Sequence, residues 1–433
     1  MSAGRRVVIT GLGVVSPLGN SAEALATALA AGTSGVAPLT TIPPLEGLVT
    51  YGGEAREFTG DIDNFGELDK DMKKSIRKAL KMMCRESMMA VAAAQQALAR
   101  SALVERVPER VGVVFGSDYM LSPPDDLLAG MIKCGVAAGG LVYEQWGTEG
   151  LREMNPLWML NYLPNMPASH IAIFNDLRGP NNSLTMREAS GVLAIREAAQ
   201  TIERGHADAM LAGATGTRIH SFKTIHATQT EELADPALDA ATACRPFDRR
   251  RTGMVCGEGA GAVMLEEREA ALARGATIYG EILGTGSAAV ADANLAARKA
   301  DAFAAAGRQA LADAGIDGAA LGHVNAHALG DRAGDEAEAT AIGRLLGTAA
   351  ATAPVAAAKS YFGNLGAGSG VVELIASLLS WPAGSLFGTL NFTEADPACP
   401  VRVSRHGDPC GETFLKLSAT PQGQAAALVV GRG

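Results

Sequence analysis

The sequence predicts an α/β protein with a largely parallel sheet covered by helices, arranged as two halves of similar layout. Three observations point there. Short β-branched or apolar runs alternate with longer segments of helical period along nearly the whole chain. Of its 433 residues, 48% are hydrophobic but only 5% aromatic, so the core must be built from small side chains that let helices and strands approach closely. Residues able to do chemistry fall at the carboxyl ends of predicted strands, where α/β proteins bind ligands.

Taken in order, residues 6–10 (RVVIT) form a buried strand, and the glycine-rich stretch 11–19 turns the chain into a helix over 22–31 capped by Asn20 or Ser21. A GxG follows that strand, but the third glycine and the acidic partner of a dinucleotide fingerprint are missing. Residues 32–70 are loop-rich. One long helix is expected over 72–101. Lys70, Lys73, Lys74 and Arg77 crowd its start, either as a solvated face or as a docking surface for an acidic protein.

A second buried strand covers 111–115. Residues 118–170 are irregular and read as a cap over a pocket. Next comes an extended lead-in to a small-residue corner, Glu188-Ala189-Ser190-Gly191. The helical run over 192–204 follows, with Val192, Ile195, Ala199 and Ile202 at helical spacing. Glu188 thus stands at a strand-to-helix corner, where a side chain is held rigidly and a helix N-terminus favours negative charge. Beyond it lie a strand at 209–213 and a glycine-dense turn over 247–261 that carries Arg251 into a strand at 262–265. A helix at 301–314, a strand end at 324–327, a helix at 336–346 and a strand at 355–359 follow. The glycine-rich stretch 363–370 then opens a helix over 371–379, and strands near 414–417 and 425–430 close the chain. The halves divide as 1–255, which includes the cap, and 256–433.

Composition narrows the function. A net charge of −9 argues against a nucleic-acid binder and requires any acidic partner to meet a local basic patch. The six cysteines contain no CxxC pair and read as buried thiols in a reducing compartment. No apolar run reaches the ~20 residues needed to span a bilayer. The start of the chain lacks the layout of a signal peptide, so a cytoplasmic location is expected.

Several long motifs in order carry a resemblance: VVITGLGVVSPLG (7–19), GPNNS…ASGVLAI (179–195), DAMLAG (208–213), CRPFD…GMVCGEGAGAVMLEE (244–267), VNAH…GDEAEA (324–339) and KSYFGNLGAG (359–368). Over nearly its full length the chain resembles the β-ketoacyl-acyl carrier protein synthases of the thiolase superfamily, close to the elongating enzymes of type II fatty acid and polyketide synthesis. The resemblance implies a thiolase-like layered α-β-α-β-α sandwich, no cofactor or metal, an acyl carrier protein as partner, and a dimer, either of identical chains or with a cysteine-containing ketosynthase. It also implies roles. Glu188 falls where the family keeps its nucleophilic cysteine, and His327 matches the first catalytic histidine. Asn364 takes the place of the second. Lys359 and Glu373 match a supporting ion pair, Asp335 and Glu338 the acids after the first histidine, and Arg251 the carrier-protein entrance.

The departures change the chemistry. A carboxylate attacking a thioester would give a mixed anhydride, higher in energy than its precursor, so transacylation onto Glu188 is not expected. No cysteine lies in a matching motif, and the family's phenylalanine-glycine gate reads Ser418-Ala-Thr-Pro-Gln-Gly-Gln424. In polyketide systems a glutamine at the cysteine position marks a malonyl-carrier-protein decarboxylase or a chain-length factor. A buried, protonated Glu188 could mimic that amide, whereas an ionised one would pair with His327 or Arg187. The expectations are therefore a non-condensing subunit or decarboxylase, a synthase working without a covalent acyl-enzyme, or a carrier-binding scaffold.

Overall fold

A computed structural model describes residues 4–433. The expected leaderless start at Met1–Ala3 lies outside them. Ten strands form one continuous sheet: β1 (Val7–Val15), β2 (Val111–Ser117), β3 (Asn181–Leu184), β4 (Ala209–Thr217), β5 (Glu258–Glu267), β6 (Gly280–Ala289), β7 (His323–Asn325), β8 (Val355–Ala356), β9 (Thr413–Ala419) and β10 (Gln424–Gly431). Their spatial order is β8-β7-β9-β10-β6-β1-β5-β4-β2-β3. The first five strands run β3-β2-β4-β5-β1 and the last five β8-β7-β9-β10-β6. Each strand of the second set occupies the place of the strand five earlier, so the two halves are topological copies. Val7–Ile9 of β1, paired antiparallel with Gly280–Ile282 of β6, joins the two five-strand sets into one sheet.

The sheet is mixed rather than largely parallel. Within each half the outer strands pair in parallel, as β2 does with β3 and β4, while β5 returns antiparallel to β4 and β1. The alternation of strand and helix predicts parallel crossovers. It misses that the chain leaves β4 for a long excursion and re-enters at the same end of the sheet, Glu258 opposite Thr217, so that β5 runs antiparallel. Because β5 is hydrogen-bonded to first-half strands on both sides, we place the division of the halves between Glu267 and Gly280 rather than at 255/256.

Helices complete five layers. The central layer is α4 (Ser190–Glu203) and α7 (Ser369–Ala383), which share one apolar core with both half-sheets. Outside the first half lies α3 (Arg85–Ser101); outside the second lie α5 (Lys299–Ala314) and α6 (Arg332–Leu346). Strand residues alternate between layers: Val114 and Met210 face the central helices, Val113 and Leu211 face α3. Both sheet faces are covered, which is why these strands read as continuous apolar runs.

Two boundaries differ from expectation for identifiable reasons. The first strand runs on through Gly11 and Gly13, where the glycine-rich pattern predicts a turn. A Cβ on Gly13 would meet the Ala93 carbonyl oxygen at 1.9 Å, and one on Gly11 would meet that of Ala97 at 2.1 Å. These glycines therefore serve close packing against α3. After α1 (Ala22–Ala31), the long helix expected over 72–101 is interrupted into α2 (Lys70–Ala79), a short turn and then α3. Met83 and Cys84 are extended, and the break lets Arg85 reach the fully buried Glu258. Residues 118–170 are not wholly irregular but include helices at Pro124–Lys133 and Met166–Asn175. Lys359 begins a helical turn rather than ending a strand.

Candidate functional site

The carboxyl ends of strands from both halves converge on the central layer. Beyond β3 a single 3₁₀ turn, Arg187–Ala189, leads into α4. Arg187 sits at φ 48°, a conformation that a side chain of its size rarely adopts, so the corner is strained. The Ser190 hydroxyl accepts the Met186 N–H at 2.8 Å and fastens the turn. Glu188 is held inside it, 1% exposed.

Its partners are not His327 but Arg218 and Asn364. The Arg218 guanidinium, 2% exposed, donates to Oε1 of Glu188, and Asn364 Nδ2 donates to the same oxygen at 3.0 Å. Arg187 Nε lies 3.6 Å from Oε2. Arg218 lies 3.5 Å from the buried Asp118 at the end of β2, and Arg187 donates to Glu231. Burial alone would raise the Glu188 pKa. The charges of Arg218 and Arg187 outweigh it and hold the carboxyl well below the usual carboxylate range. The Arg218 pairing and the lowered pKa both favour an ionised Glu188, a member of a buried charge chain, over the protonated amide mimic.

Asn364 is locked from the other side. Gly366, at φ 59°, donates its N–H to Asn364 Oδ1 at 3.1 Å, and the Ser369 hydroxyl donates to the same oxygen at 3.1 Å. That fixes the amide orientation. Its NH2 group is taken up by Glu188 and by Met254 Sδ at 2.9 Å, so Asn364 is not a free donor.

His327 lies just beyond β7 with its backbone clamped. Glu338 accepts the N–H of His327 at 2.6 Å and of Ala328 at 2.7 Å, and Ala328 has φ 47°. Lys359 Nζ donates to the His327 carbonyl at 2.6 Å and lies 3.3 Å from Nδ1. Burial first, and Lys359 next, keep the imidazole pKa well below its ordinary value. A neutral ring whose Nδ1 faces a lysine donor carries its proton on Nε2, leaving one hydrogen-bond donor able to meet an oxyanion.

Glu373 binds two lysines, Lys359 through Oε1 and Lys416 through Oε2, all within 1% exposure. Lys416 also donates to the Leu417 carbonyl at 2.7 Å. This brace joins α7, β9 and the turn that holds Lys359.

The remaining expected residues lie elsewhere. Asp335 accepts the N–H groups of Phe247 at 2.8 Å and Gly330 at 3.0 Å and stays near the 247–251 turn. Arg251, expected at a carrier entrance, is 3% exposed. It donates to Asp396 at 2.5 Å and to the Arg332 carbonyl at 3.2 Å, so its guanidinium is consumed inside the fold and cannot meet a partner. On α2, Lys70, Lys74 and Arg77 are exposed, while Lys73 is half-buried with Asp63 3.6 Å away. Sequence reasoning misses Arg218, Asp118 and Lys416. A lone arginine closing the apolar run 209–217 and a lone lysine inside the strand 414–417 are the available signals.

The six cysteines are free thiols, five of them buried and Cys84 partly so. Burial pushes Cys244 up to about 12 and Cys256 up to about 11, away from the reactive thiolate. Among the described residues no cluster of His, Cys, Asp and Glu could hold a metal, and no helix is long and apolar enough to cross a membrane.

Residues 4–271 match the beta-ketoacyl synthase N-terminal domain and residues 279–393 its C-terminal domain. The chain is 33% identical over 407 residues to the 3-oxoacyl-[acyl-carrier-protein] synthase 2 of Synechocystis sp., spanning 92% of this chain and 90% of that protein. A solved beta-ketoacyl synthase from Burkholderia phymatum superposes with TM-score 0.85 at 28% identity, covering 99% of this chain and 100% of that one. The ishigamide ketosynthase/chain length factor superposes with TM-score 0.82 at 28% identity, each chain covered in full.

Proposed function

The chain belongs to the beta-ketoacyl synthase family of fatty acid and polyketide synthesis, and on that premise we propose that it is a non-condensing member. It would work as a chain-length-factor-like subunit beside a cysteine-bearing ketosynthase, with acyl carrier protein as its macromolecular partner, in the cytoplasm. The observation that supports this reading is the Glu188 carboxylate, buried and paired with Arg218, at the position that we match by its motif to the family's nucleophilic cysteine.

The chemistry follows. A thioester exchanges readily with a thiolate because the two thioesters are close in energy. Exchange with a carboxylate would give an anhydride, higher in energy than the thioester, and here Oε1 of the carboxylate is already engaged by a guanidinium and an amide. The likeness to a ketosynthase/chain length factor supports the subunit reading. A malonyl-carrier-protein decarboxylase is the second reading. It is favoured by the neutral His327, whose Nε2 proton could stabilise an enolate, but it must accommodate a malonyl carboxylate beside an ionised Glu188.

Intact-mass analysis of the purified protein with malonyl and acyl carrier proteins tests both readings. The chain alone should gain no acyl adduct and release no CO2. Adding a cysteine-bearing homologue should give condensation products. An adduct on the 188 peptide would overturn the proposal. CO2 release by the chain alone, abolished by both Glu188→Ala and His327→Ala, would replace it with the decarboxylase.

A further inference from the structure

We infer that Arg218 is a specificity-determining residue: it closes the corner to acyl groups, so a cysteine restored at 188 would not by itself be acylated. This rests on reading position 188 as the family's acylation position. The crevice above the first-half strands is filled by charges from three adjacent strand ends. Asp118 follows β2, Glu188 follows β3 and Arg218 follows β4. Arg218 is among the largest fully buried side chains in the protein. Its backbone N–H is fixed to the Gly257 carbonyl at 2.8 Å, and its guanidinium lies between the two acids.

The geometry separates two consequences of losing Glu188. Electrostatically, a cysteine beside Arg218 would be favoured as a thiolate. Sterically, the buried guanidinium packs directly against the side chain at 188 and fills the space that an acyl group attached there would need. It cannot withdraw into solvent, and Asp118 still holds it when Glu188 is gone. Packing at this depth does not open by small shifts. The steric term therefore decides. Clearing the crevice requires removing Arg218, and then Asp118, whose charge would be left buried without a partner.

The test uses the full chain with Glu188→Cys, Glu188→Cys/Arg218→Ala and Glu188→Cys/Arg218→Ala/Asp118→Asn, the last leaving no buried acid at 118 without its Arg218 partner. Octanoyl-N-acetylcysteamine is the probe. The thiolate introduced at position 188 attacks its carbonyl carbon, the carbon–sulfur bond to N-acetylcysteamine breaks, and that thiolate leaves and takes a proton. Intact mass follows the octanoyl adduct, and circular dichroism checks that each variant is folded. Glu188→Cys alone should acylate at background, and the folded triple variant at least about tenfold faster, with peptide mapping placing the adduct at position 188 rather than on the six native cysteines, which unfolding would expose. Equal acylation of the single and triple variants would overturn the inference, as would a folded triple variant that stays unmodified. Neither result touches the proposed function, which is read on the unsubstituted chain.

Discussion

Glu188 and Arg218 are each costly to bury alone and acceptable together. Removing one partner leaves an uncompensated charge at a site almost without solvent. Glu188→Ala should therefore destabilise the protein by about 3 kcal/mol, at the low end of the usual range because Asp118 still faces Arg218. In denaturant titrations Glu188→Ala/Arg218→Ala should cost less than the sum of the single variants, and strict additivity would mean that the pair is not coupled. Two kinds of buried acid also give opposite pH dependences. Burial, helped by Asp331, pushes Asp335 up to about 8, and burial pushes Glu338 up to about 7. The unfolded chain releases those protons first, so their contribution is largest at low pH and falls as pH rises from about 4 to 8. Glu188 has its pKa lowered, so its contribution is present above the ordinary carboxylate range and is lost only in acid. Melting temperature should decline between about pH 5 and 8, and Asp335→Asn should flatten that slope. An unchanged slope would show that Asp335 is not the group responsible.

Elements in this fold are placed by what they must reach. The first strand carries glycines so that α3 can lie against it, and Gly13→Ala should cost at least about 1–3 kcal/mol because the new methyl would strike the Ala93 carbonyl. A Gly13→Ala variant that melts with the parent would show that α3 can shift. Helix α6 holds the loop after β7. Replacing Glu338 with Ala releases the His327 and Ala328 N–H groups beneath a backbone that already has positive φ. The expected loss is about 1–3 kcal/mol, read by chemical denaturation. Faster amide exchange at residues 327 and 328 would locate it.

At the scale of the whole molecule, two copies of one five-strand pattern share a central pair of helices, and that duplication carries residues from both halves to one place. Helix α2 presents the exposed cations Lys70, Lys74 and Arg77; on the proposal that acyl carrier protein is the partner, reversing them to Glu should weaken its binding at least about tenfold at low salt. Reversal without effect in a titration would move the docking surface elsewhere. Motif order, helix periods and strand-end chemistry were legible in the sequence. They determined the family, the layered fold, and the positions of Glu188, His327, Asn364, Lys359 and Glu373, because each depends on short stretches of chain. The tertiary structure alone supplied the arginines that favour an ionised Glu188 over a neutral amide mimic, and showed that Asn364 is already hydrogen-bonded, that Arg251 is internal and that the sheet is mixed. Those outcomes turn on residues far apart in sequence: Arg218 lies thirty residues beyond Glu188, and Asn364 lies in the other half. A charge's partner and its burial are properties of the assembled core, which no local pattern encodes.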